Sequence, residues 1–183
     1  MIARKTLMTA LLVGALAMLA PAARADTLPI APLKWLVGGT WVAQGTKMPP
    51  GVSRIATQYH MAASGNFIQF TTQFLDKDGK PSGNYAGNFY FDPSAKHLTV
   101  WYMDRDNAIT EGPVTTSPQG MTITFTEDGA SMGASGPIDF QVTVEKISAN
   151  EYRWTLAARK GGSTVSYKPL FSLDYKRAAA DSL

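Results

Sequence analysis

Apolar and polar residues alternate with a period of two along almost the whole chain, and this pattern rules out most folds. Met121, Ile123 and Phe125 alternate with Thr122, Thr124 and Thr126. Ile138, Phe140, Val142 and Val144 alternate with Asp139, Gln141 and Thr143. Tyr152, Trp154 and Leu156 follow the same rule, and Val165, Tyr167, Phe171, Leu173 and Tyr175 share one parity in the final run. Successive strand side chains point to opposite faces, so the pattern predicts half-buried antiparallel strands. Comparable runs near 40–47, 53–62, 66–76, 84–92, 96–104 and 108–116 bring the expectation to about ten strands. Asp78-Gly79, Asp92-Pro93 and Gly161-Gly162 supply turns between them. The only helical expectation is one turn from Ala31 to Leu36, opened by Pro32. The Gly/Ser-rich stretch 129–136 reads as a loop. An all-antiparallel chain must protect its edges, and closure into an up-and-down barrel removes them; a two-sheet sandwich is the rival arrangement.

The first 25 residues predict a destination rather than a fold. Arg4 and Lys5 precede an apolar run from Leu7 to Leu19, and Ala23-Arg24-Ala25 places small residues where signal peptidase reads. The run falls short of the roughly 20 residues that cross a bilayer. The expectation is therefore a signal peptide over 1–25 cleaved after Ala25, a single domain over 26–183, and a periplasmic or secreted protein with no membrane anchor.

Removing that segment also removes the net charge. The +3 balance of 17 basic and 14 acidic residues is carried by Arg4, Lys5 and Arg24, so the mature chain is neutral. Nucleic-acid binding, which calls for a basic patch, is not expected. With no cysteine there is neither a disulfide framework nor a thiolate metal site.

The segment Trp35 to Gly45 (WLVGGTWVAQG) refines the architecture. Its Gly39-Thr40-Trp41 places a glycine where the chain turns into its first strand and an indole just behind, able to plug one barrel end. Together with the short apolar segment before it, this resembles the start of calycin-type barrels, the lipocalins, fatty-acid-binding proteins and nitrobindin group. Gly83 to Pro93 (GNYAGNFYFDP), Trp101-Tyr102-Met103-Asp104 and Glu111-Gly112-Pro113-Val114 extend the resemblance to secreted bacterial lipocalin-like single-domain proteins. That resemblance implies a basic side chain near the last strand set over the plug tryptophan. Arg177 shares the inward parity of Tyr175 and Phe171; it either stacks on Trp41 or belongs to a solvated tail. Ten strands with only Met48 to Val52 after the first are more similar to the lidless nitrobindin arrangement than to fatty-acid-binding proteins.

Nitrobindin-like barrels hold haem through a histidine late in the chain, and here the sequence departs. The only histidines are His60 and His97, and none follows Tyr152. Tyr167 or Tyr175 is the alternative haem ligand, and packing is the plainer role for each; no cofactor is expected. Catalytic constellations are equally thin. Gly133-Ala134-Ser135-Gly136-Pro137 has the wrong spacing for a nucleophile elbow. Asp76-Lys77-Asp78-Gly79-Lys80 lacks the later ligands of a calcium loop. Asp104-Arg105-Asp106-Asn107 reads as a charged turn. No catalytic or metal-binding residue is assigned, and an enzyme is not expected.

Parity assigns Trp41, Tyr59, Phe70, Thr72, Phe89, Phe91, Trp154 and Tyr167 to an interior suited to a small apolar molecule. Gly39, Trp41 and Arg177 form the expected end plug, and Glu111, beside the strand-breaking Pro113, is the candidate polar residue at the mouth. Bulky aromatics can equally fill a barrel completely, and sequence leaves both outcomes open. The strands containing Tyr90 and Trp101 are apolar on both faces. Their outer face is either a homodimer surface or a set of cross-strand aromatic pairs. The functional expectation is a secreted small-molecule-binding barrel, with a ligand-free, self-associating interaction protein as the alternative.

Overall fold

The computed structural model describes residues 29–45, 48–104 and 107–178; the expected signal peptide lies outside them. Ten antiparallel strands close into one barrel. They are β1 (Thr40–Gln44), β2 (Arg54–Met61), β3 (Phe67–Leu75), β4 (Pro81–Asp92) and β5 (His97–Met103), then β6 (Ile109–Ser117), β7 (Gly120–Asp128), β8 (Pro137–Lys146), β9 (Glu151–Lys160) and β10 (Lys168–Ala178). Each strand pairs with its sequence neighbours, and β1 pairs with β10 to complete the circle, so every strand has two partners and none is an edge strand.

Closure requires the two chain ends to meet, and the residues around Trp41 explain why they do. The expected helical turn is a 3-10 helix over Ala31–Leu36 that buries Leu33 and Leu36 completely across one end of the barrel. Gly38 and Gly39, at φ of 87° and 72°, then swing the chain into β1. Other residues adopt this left-handed conformation only at a cost. Trp41 is fully buried beneath the helix, and its indole Nε1 donates to the Leu36 carbonyl at 2.7 Å. Trp35 meets it edge-on at 6.1 Å, and Tyr152 packs at 4.7 Å.

Two departures from strict alternation shape the rest. Between Pro169 and Phe171 the β9–β10 register shifts, a bulge that reverses the parity of everything before Phe171. The other lies at Pro113. Backbone pairing of β6 with β7 runs only from Val114 opposite Ile123 to Ser117 opposite Gly120. Proline has no N–H to continue a ladder, and the half of β6 from Ile109 to Pro113 pairs with β5 alone. A short 3-10 helix, Gly129–Met132, stands in the expected loop, its first turn held by the Asp128 carboxylate, which accepts from Ala130 N at 3.1 Å.

Candidate functional site

Inward-facing side chains do not fill the barrel. They enclose a cavity of about 570 Å³ that is blocked at the Trp41 end and opens at the other. This volume falls within the range of small-molecule pockets.

The two sides of the cavity differ chemically because different strands supply them. Strands β5, β7 and β8 contribute Val100, Met121, Ile123, Phe125, Phe140 and Val142, with Phe125 stacked on Phe140 at 5.3 Å. These six side chains carry no polar atom; nearer the mouth the same strands add the Tyr102 hydroxyl and the Glu127 carboxylate. On the opposite side β2, β3, β9 and β10 bring five hydroxyls inward: Thr57, Tyr59, Thr72, Tyr152 and Tyr175. Thr57 and Thr72 face each other across β2 and β3 and share a hydrogen bond of 2.9 Å. Tyr175 stands beside Thr57, and the Tyr59 and Tyr152 hydroxyls lie 3.5 Å apart. Burial pushes the Tyr59 phenol up to about 12 and drives Tyr152 and Tyr175 well above the ordinary phenol range, so all three stay protonated at neutral pH.

The mouth is formed by the strand ends remote from the plug. Pro49, Pro50, Phe74, Tyr85 and Phe171 make up much of its rim, and Asp104 and Glu127 are its charged groups among the described residues. Glu127 accepts from Thr110 Oγ1 at 2.9 Å, a side-chain bond spanning β6 and β7 where the backbone ladder is missing. Asp104 accepts from Ala108 N at 2.9 Å, which ties the end of β5 to the approach to β6. Tyr102, beside Thr110, is held up to about 12, chiefly by burial, with the Glu127 and Asp104 charges adding to the shift.

Of the residues assigned to the interior from sequence, Tyr59, Phe70, Thr72, Phe89 and Trp154 line this cavity. Trp41 and Phe91 point inward but lie below its floor, Trp41 within the plug and Phe91 packed against the core beside Leu98. Tyr167 is elsewhere. The bulge before Phe171 reverses its parity, and its ring lies under the Arg159 guanidinium at 4.3 Å, away from the cavity lining. Glu111 is also displaced from the expected mouth. It neighbours the inward Thr110 on β6 and therefore points outward, where it accepts from the Tyr90 hydroxyl at 2.6 Å. The mouth carboxylates are Asp104 and Glu127 instead. Glu127 continues the inward parity of Met121, Ile123 and Phe125, a signal the sequence did carry.

At the plug, Arg177 stands opposite Trp41 in the β1–β10 register, with its guanidinium 4.2 Å from the ring. It donates to the carbonyls of Trp35 (2.8 Å), Val37 (3.1 Å) and Gly38. Gly39 leaves room for it, since a Cβ there would come within 3.3 Å of Arg177 Cγ.

The cavity does not suit haem. No histidine is among the described residues that line it, and His60 and His97 are exposed. Tyr175 points inward, but its ring is stacked on Tyr152 at 4.7 Å. A phenolate ligand is what ferric haem would need, and burial opposes that ionisation. Among the described residues no group of three or more metal-ligating side chains occurs.

On the outer face, Trp101 is half-buried between Asn88 and Glu111, and Tyr90 lies beside Thr99. Met103 and Ile109, paired across β5 and β6, are exposed at 37% and 62% and extend that apolar strip.

No family model matches the chain, and no curated protein matches it. Among solved structures it is similar to the crystal structure of Rv2717c from M. tuberculosis, at 14% identity and a TM-score of 0.52, over 82% of this chain and 98% of that one. A likeness at this level concerns the fold, a ten-stranded antiparallel barrel compatible with small-molecule binding.

Proposed function

We propose that the protein is a secreted or periplasmic carrier or sensor of a small apolar molecule, bound inside the barrel, with no catalytic step of its own. The observation that carries this reading is the single-ended cavity of about 570 Å³, apolar on one side and hydroxyl-bearing on the other. Such a site buries an apolar body and orients it with a few hydrogen bonds. Tyr59, Phe70, Thr72, Phe89 and Trp154 are the contact residues of this proposal, and Gly39, Trp41 and Arg177 keep the far end shut. The proposed location rests on residues 1–25, with the mature chain starting at Asp26. An intact mass that retains those residues after export would remove that part.

The binding test is a fluorescence titration of the mature protein with the neutral probe N-phenyl-1-naphthylamine. The expected result is saturable enhancement at one probe per barrel. A strictly linear response would overturn the reading.

Self-association is a second reading, supported by the strip of Tyr90, Trp101, Met103 and Ile109 on the outer face. Sedimentation velocity is its measurement. The expected result is a dimer that Trp101→Ala dissociates, and a monomer at all concentrations would end it.

A further inference from the structure

The hydroxyls that β2, β3, β9 and β10 bring into the cavity, away from those of Ser82, Tyr85, Tyr102 and Thr110, can be counted, and the count specifies a guest more closely than its apolar character does. Tyr59 and Tyr152 form one pair of hydroxyls, Thr57 and Thr72 form another, and Tyr175 stands beside Thr57. A hydroxyl brings one proton and can accept at two lone pairs. Five protons serve at most three contacts within this group, and one of these, at 3.5 Å, is long. At least two O–H donors are therefore left without a hydroxyl partner in the group. All five residues are nine-tenths or more buried, so an unused donor carries the cost of desolvation.

Charge limits the guest from the other direction. No lysine, arginine or histidine is among the described residues lining the cavity, and the charged groups there are the carboxylates of Asp104 and Glu127 at the mouth. A guest anion placed deep in the barrel would lose its hydration without meeting a cation among the described residues. One placed at the mouth would face two like charges.

We infer that the cavity selects an uncharged ring compound bearing a carbonyl-type oxygen acceptor, seated against the Tyr59–Tyr152 and Tyr175–Thr57–Thr72 hydroxyls, and rejects carboxylate-bearing lipids. The acceptor takes up the two spare donors, and the rings lie against Phe125, Phe140 and Val142 opposite. This rests on the binding function proposed above. It adds a polarity and a charge sign that the function alone does not require.

Three probes sharing one skeleton separate these properties: diphenylmethane, benzophenone and diphenylacetate, each used to displace N-phenyl-1-naphthylamine from the mature protein at neutral pH. Benzophenone is expected to bind about five- to a hundredfold more tightly than diphenylmethane, the worth of two net hydrogen bonds. Diphenylacetate is expected to bind at least about tenfold more weakly than benzophenone. The carbonyl stretch of bound benzophenone should move to lower frequency than in an alkane solvent, reporting the hydroxyl contact directly. Equal binding of diphenylmethane and benzophenone, or an unshifted carbonyl, overturns the acceptor assignment. Tightest binding by diphenylacetate overturns the charge assignment. If the naphthylamine itself never binds saturably, the binding function falls instead, and that failure is distinct from the other two.

Discussion

Arg177 and Trp41 join the last strand to the first: the guanidinium lies 4.2 Å over the indole while its N–H groups bond to the carbonyls of Trp35, Val37 and Gly38. The contact combines a partly desolvated cation–π pair with charge-assisted hydrogen bonds. Burial lowers the guanidinium's affinity for its proton, but an arginine stays charged. Replacing Arg177 by Met keeps much of the apolar stem and strands the carbonyls. The expected loss is about 2–3 kcal/mol in urea denaturation. A loss near zero would mean that water takes over the carbonyls and the closure stands on strand pairing alone.

Gly39 contributes to the same closure in two ways that a mutant cycle can separate. Its φ of 72° costs any other residue conformational energy, and an added Cβ would press on Arg177 Cγ at 3.3 Å. Gly39→Ala is expected to destabilise by roughly 1–2 kcal/mol. In an Arg177→Ala background, which has no Cγ, the steric part should vanish and the backbone part remain. Full additivity would show that the arginine stem moves aside freely.

Filling the cavity tests whether it is empty space available to a guest. Val142→Phe projects a larger ring from β8 into the lumen opposite the hydroxyls. The expected outcome is at least about a tenfold loss of naphthylamine affinity with little change in melting temperature, whereas a tightly packed barrel would lose about 1–3 kcal/mol from overpacking.

The buried phenols set an alkaline limit. Tyr59 and Tyr102 are each raised from 10.0 to about 12 in the folded protein, with burial the largest cause in both. A group raised in this way contributes stability that is fully present below its unfolded value and lost as pH rises through the folded one. Urea midpoints should therefore hold up to about pH 10 and fall from there toward about pH 12. Tyr102→Phe should make that decline shallower. Phenolate absorbance appearing at ordinary tyrosine pH for every tyrosine would contradict the burial of these rings.

Much of the site was legible because alternation survives in the chain. Parity places Tyr59, Phe70, Thr72, Phe89 and Trp154 inside, and the structure has each at the cavity. Parity went wrong at Tyr167 because one extra residue near Leu170 reverses the faces, and composition hardly announces a bulge. It also misplaced Glu111. Pro113 signalled a broken ladder, but its neighbour at the mouth is the inward Thr110, with Glu127 reaching it from β7. Asp104 read as a turn residue, which it is, and only the folded chain brings that turn to the rim beside Tyr102.

What the sequence determined by itself was local: period-two strands, their approximate number, the helical turn at Ala31–Leu36 and the glycine entry before Trp41. These depend on side-chain direction and backbone freedom within a few residues. Only the tertiary structure decided how β1 meets β10, how far the β6–β7 ladder runs, and whether the inward side chains fill the barrel or leave about 570 Å³ open. Barrel volume depends on how strands are sheared and tilted around the closed sheet, and shear is the sum of every register along the chain. No single segment encodes that sum, so the cavity and its sorting of hydroxyls against apolar rings arise only when the circle closes.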